Sequence, residues 1–130
     1  MLQNNQVFGS YSTDDLGKAE AFYKDTLGLG VVRAEMGVLE LHLKNDHTVI
    51  IYPKENHSPA TFTVLNFVVE DIVAMVNQLT TKGIQFISYT GEIQTDKNGI
   101  ANADGSRPGP KIAWFTDPAG NILSILEEST

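Results

Sequence analysis

Two stretches of the chain, Val7 to Tyr52 and Phe62 to Leu126, present the same order of signals: one strand, one amphipathic helix, then further strands. Repeated units that cannot bury their apolar faces alone must stack or pair, so the repeat predicts a pseudo-symmetric sheet with a shared concave surface. At 130 residues the chain is the size of one domain and needs neither disulfide nor metal to fold.

In the first half, Val7-Phe8-Gly9-Ser10-Tyr11-Ser12 reads as a short strand, and Thr13-Asp14-Asp15 supplies capping oxygens for a helix. Leu16, Ala19, Phe22, Tyr23 and Leu27 follow at the spacing of one apolar stripe, which makes Phe22-Tyr23 core, and Gly28 sits where a left-handed stop is usual. Val38 to Leu43 alternates, Lys44-Asn45-Asp46-His47 turns the chain, and Thr48 to Tyr52 returns it as a hairpin. The residues from Pro53 to Thr61, with two prolines, read as a linker.

The second half repeats the order. Phe62 to Val69 is a strand, Glu70-Asp71 caps, and Ile72, Met75, Val76 and Leu79 form a stripe that stops at Gly83. Ile84 to Tyr89 is expected as a strand. Lys111 to Thr116 and Asn121 to Leu126 form a hairpin through Asp117-Pro118-Ala119-Gly120, where Pro presets φ and Gly takes the positive φ. Thr90 to Pro110 is too long and polar for a simple turn and is either a lid or disordered. Asp96, Asn98, Asn102 and Asp104 lack the alternation and terminal Glu of a calcium loop.

Composition excludes several chemistries. With no cysteine there is no thiolate nucleophile, redox pair or sulfur ligand, a composition in keeping with a cytoplasmic protein. The N-terminal residues lack the charged start and apolar run of a leader, and no stretch nears the length of a membrane span, so a soluble, unexported protein is expected. A net charge of −7 with nine scattered Lys and Arg opposes nucleic-acid binding and suits a neutral or cationic small ligand. The same acidity also serves solubility alone.

Ser12-Thr13-Asp14-Asp15-Leu16 to Phe22-Tyr23 with Leu27-Gly28-Leu29, then Val69-Glu70-Asp71-Ile72 with Lys82-Gly83, and finally Phe115-Thr116-Asp117-Pro118-Ala119-Gly120-Asn121 resemble the vicinal oxygen chelate superfamily of glyoxalases, extradiol dioxygenases, fosfomycin-resistance enzymes and bleomycin-resistance proteins. The resemblance covers nearly the whole chain. It implies an α+β fold of two βαβββ modules whose mixed sheets curve into a cup, usually in a homodimer. A single domain over 1–130 is expected, with module 1 near 6–53, a linker over 54–61 and module 2 near 62–127.

In metal-dependent members of that family, the cup holds a divalent ion bound by His on the first strand of each module and by Glu or another ligand on the last. Seven residues before Asp15 and Asp71 stand Phe8 and Val64; the last-strand positions fall on Ile50 and Ser124. None is a strong ligand, so no metal or other cofactor is expected. Glu40 and His42 share a strand face, with His47 beyond the turn, and read as a solvated face in preference to a displaced metal site. His57 reads as surface, no His is assigned as base to Ser10, Ser12 or Ser124, and no catalytic residue is expected.

Alternation then defines the lining. From the first module come Phe8, Ser10, Thr48, Ile50 and Tyr52; from the second come Val64, Asn66, Ile122 and Ser124, with Trp114 adding stacking area. This mostly apolar surface suits a small, partly aromatic molecule oriented by Asn66 or Ser124. Three readings stand: a metal-independent binding protein that sequesters a drug-like or metabolite ligand, a lyase, isomerase or dioxygenase with a displaced or absent metal site, and a structural or regulatory dimer whose filled cup takes no ligand.

Overall fold

The computed structural model describes residues 1–129 and separates into two compact units, Met1–Pro59 and Ala60–Thr130. Each unit is one βαβββ module. The first contains β1 (Gly9–Thr13), α1 (Leu16–Ala21), β2 (Gly30–Arg33), β3 (Leu39–His42) and β4 (Thr48–Pro53) in a sheet of order β1-β4-β3-β2. The second contains β5 (Thr63–Val68), α2 (Ile72–Thr81), β6 (Ile100–Ala101), β7 (Lys111–Thr116) and β8 (Ile122–Glu127) in the matching order β5-β8-β7-β6. In both, the first strand lies parallel to the last and the remaining neighbours are antiparallel. The repeat seen in the sequence is therefore a repeat of topology.

The same local chemistry starts both helices. Asp15 Oδ1 accepts from Lys18 N and Asp71 Oδ1 from Ala74 N, each at 3.0 Å, which satisfies an N–H that the first turn leaves without a helical partner. Gly28 (φ +72°) and Gly83 (φ +95°) follow the helical segments in the left-handed region that other residues enter only with strain.

Packing follows the alternation. In the first sheet Tyr11, Leu39, Leu41, Val49 and Ile51 are buried with Ala19 and Tyr23. Tyr23 belongs to a turn of π-helix, Phe22–Thr26, that extends α1, and it accepts a 2.9 Å hydrogen bond from the Tyr11 hydroxyl. In the second sheet Ala113, Phe115, Leu123 and Ile125 are buried together with Ile72, Val76 and Leu79 of α2. At the β7–β8 turn, Asp117 Oδ1 accepts from the amides of Ala119 and Asn121 at 3.0 and 2.8 Å. Gly120 takes φ +85° and donates to the Asp117 carbonyl, which is the turn expected from its Pro and Gly.

The structure departs from the sequence reading, or adds to it, at several elements. The first strand begins at Gly9, so Val7 and Phe8 precede it, and β4 extends through Pro53. Strand β2 carried too few alternating residues to stand out in the sequence; it forms because its backbone pairs with β3. Ile84 to Tyr89 is not a strand. Its alternation buries Ile84 and sets Phe86 edge-on to Phe115 at 5.7 Å, while Ile100–Ala101 takes the ladder position beside β7. Finally, 90–110 is folded by its polar side chains. Asp96 Oδ1 accepts from the amides of Asn98 and Ile100, Asn102 Oδ1 from Arg107, and Asp104 Oδ1 from Ser106. The Asp and Asn residues of this segment are turn-builders, which explains their density without calcium.

Candidate functional site

Each sheet has one face turned to its helix and one turned away from it, and the expected lining residues other than Phe8 and Val64 fall on the second. In the first module, register pairs Ser10 with Ile50, Ser12 with Tyr52, Glu40 with Ile50 and His42 with Thr48, so these side chains share a face opposite the buried Tyr11, Val49 and Ile51. Phe8 lies outside the ladder with 60% of its surface exposed. Glu40 and His42 meet each other at 3.2 Å on the exposed face. His47 stands beyond the turn, where its N–H closes onto the Lys44 carbonyl.

One contact escaped the sequence reading. His57 is expected as surface with no serine to serve, yet Ser12 Oγ lies 2.7 Å from its Nδ1 and both side chains are part-buried. The link arises because β4 ends at Pro53, Lys54 N donates to the Thr13 carbonyl, and a 54–57 turn closed by His57 N on the Lys54 carbonyl folds back over the end of β1. The prolines suggested a linker, and no local signal marks the return.

In the second module, register puts Asn66, Ser124 and Trp114 in one row across β5, β8 and β7. Ser124 is fully buried and its hydroxyl donates to Asn66 Oδ1 at 2.5 Å; Asn66 itself is exposed. Trp114 is half-buried and edge-on to Tyr89, with ring centres 5.2 Å apart. Ile122 pairs with Thr63 and Thr116. Val64 falls at a bulge: the ladder pairs Thr63 with Ile122 and Leu65 with Leu123, which leaves Val64 as the extra residue, a shift that counting back from Asp71 cannot reveal.

Beside this row is a cavity of about 770 Å³, within the range that holds drug-sized molecules. Ile100, Ala101, Ile112 and Trp114 form its sheet side, and residues of 92–110 form the rest. Glu92, Asp96 and Asp104 outnumber Arg107 around it. Arg107 is committed to the wall, its Nη1 donating to the Glu92 carbonyl at 2.9 Å. Hydrogen bonds from Ser106, backbone first, hold the Asp104 carboxyl below its usual pKa, so it stays ionised into mild acid.

The side chains do not fit a metal ion. Among the described residues no three His, Asp or Glu side chains gather where one could be held. Of the four residues that counting along the sequence assigned to ligand positions, Phe8, Ile50 and Val64 carry no donor atom, and the Ser124 hydroxyl is engaged by Asn66.

Residues 6–125 match the Glyoxalase/Bleomycin resistance protein/Dioxygenase superfamily. The chain belongs to that family. Solved structures share its fold at low identity. A glyoxalase/bleomycin resistance protein/dioxygenase from Alicyclobacillus acidocaldarius superposes with a TM-score of 0.70 at 15% identity, covering 100% of this chain and 96% of its own. TnmS3, an antibiotic binding protein from Streptomyces sp. CB03234, gives 0.68 at 19% identity over 98% and 99%. A virulence protein from Salmonella typhimurium gives 0.65 at 18% over 99% and 100%. No curated protein matches the sequence. Among the described residues no helix is long and apolar enough to cross a membrane.

Proposed function

We propose that this protein binds a small, partly aromatic molecule without a metal ion, on the open sheet face where Trp114 borders the cavity of the second module. The observation that carries the reading is the combination of the half-buried Trp114 bordering a roomy cavity and the exposed Asn66 amide in the same strand row, with no set of ligands for an ion among the described residues. The excess of carboxylates around the cavity favours a neutral or cationic ligand over an anionic one. Family membership supports ligand binding, since one structural relative is an antibiotic binding protein. The same fold hosts many activities, so the site and not the fold carries the argument. In this reading Ser10, Thr48, Ile50 and Tyr52 of the first module line a ligand surface as well. The protein acts as a cytoplasmic homodimer that sequesters its ligand.

A thermal-shift screen of aromatic cations and neutral aromatics, run with and without a chelator, tests this. Stabilisation by aromatic compounds that is indifferent to the chelator is expected. Stabilisation lost with the chelator and restored by one metal would replace this reading with a metal-dependent one, and a screen with no shift would favour a protein that takes no small ligand.

A further inference from the structure

We infer that Asn66 is a specificity-determining hydrogen-bond donor, and that the ligand carries an acceptor oxygen held to one side of an aromatic ring on Trp114. The inference rests on the binding reading above and goes past it to the ligand's polarity. It starts from Ser124, which has no exposed surface and whose hydroxyl proton must therefore find an acceptor within the protein. That acceptor is Asn66 Oδ1, at 2.5 Å. An amide has one acceptor end and one donor end, so engaging Oδ1 inward leaves the Nδ2 hydrogens as the end that an incoming molecule meets. Asn66 is exposed, and among the described residues its Nδ2 makes no hydrogen bond. The neighbouring Val68, Ile112, Ile122 and Leu126 offer nothing to compete for the same ligand atom.

Trp114 occupies the same row two strands away, which at the ordinary strand spacing is about 10 Å. A single phenyl ring with its acceptor attached is too short to use both; a fused bicyclic ring with an acceptor at its edge is long enough. The buried serine thus aims a neutral donor outward.

The test uses two probes of nearly equal shape, 2-acetylnaphthalene, which has the acceptor oxygen, and 2-isopropenylnaphthalene, which has a methylene in its place. Trp114 is the single tryptophan of the chain, so quenching of its emission reports binding at this site. The full-length wild type should bind the ketone roughly fivefold to tenfold more tightly than the hydrocarbon. Asn66→Asp keeps the acceptor for Ser124 but replaces the outward donor with an acceptor, so the preference should vanish or reverse. Ser124→Ala frees the amide to turn and should reduce it. Equal affinity of the wild type for both probes, or a preference unchanged in Asn66→Asp, overturns the donor role while leaving the binding reading in place. Absence of saturable quenching by either probe overturns both. The wild-type comparison alone decides the point if a variant folds poorly.

Discussion

Ser12 and His57, 45 residues apart in the chain, are joined by a 2.7 Å hydrogen bond that fastens the 54–57 turn to the end of β1. Removing either partner should release the turn without unfolding the sheet, since Tyr11, Leu39 and Ile51 are buried independently of it. Ser12→Ala is expected to cost about 1 kcal/mol, lowering Tm by a few degrees. Amide exchange at Lys54 and His57 should quicken while that of β3 and β4 stays the same. Unchanged exchange at those two amides would show that the turn is held by its backbone alone.

Gly99 has φ +83°, and a Cβ there would lie 2.7 Å from Phe86 Cβ, whereas Gly37 has φ +73° and open space around it. Alanine at either position strains the backbone by about 1–2 kcal/mol. At Gly99 the added atom also displaces Phe86, whose ring packs edge-on to Phe115, so Gly99→Ala should destabilise clearly more than Gly37→Ala in urea unfolding. Equal losses would mean that the segment moves aside freely.

The lowered pKa of Asp104 sets a direction for the acid response of the 102–110 turn. A carboxyl whose folded pKa lies below its unfolded value contributes stability above the unfolded value and loses it as pH falls through the folded one. The Ser106 amide should therefore remain protected from exchange at mildly acid pH and lose protection only below the ordinary carboxylate range. Asp104→Asn should show weaker protection with no acid step. The same step in the variant would assign it to another group.

Much of the fold was legible in the sequence because its signals are local. Asp15 and Asp71 sit where helix caps belong, Gly28 and Gly83 where helices stop, and Asp117-Pro118-Ala119-Gly120 carries its own turn chemistry. Strand identity at the edges was not legible, because Ile84 to Tyr89 alternates for reasons of burial and β6 is only two residues long. On the site, alternation placed Ser10, Ile50 and Tyr52, and likewise Asn66 and Ser124, on common faces. The bulge at Val64 and the return of His57 to Ser12 depend on pairing between distant residues and leave no trace in local pattern.

The most direct measurement is a calorimetric titration of chelator-treated protein, with metal content checked by elemental analysis, against the most stabilising compound of the screen, beside Trp114→Ala shown to be folded. The account predicts saturable binding to metal-free wild type and an affinity at least roughly tenfold lower in the variant, the scale of a central aromatic contact. Binding that appears only after a divalent metal is restored, or that is equally tight without the indole, would contradict it.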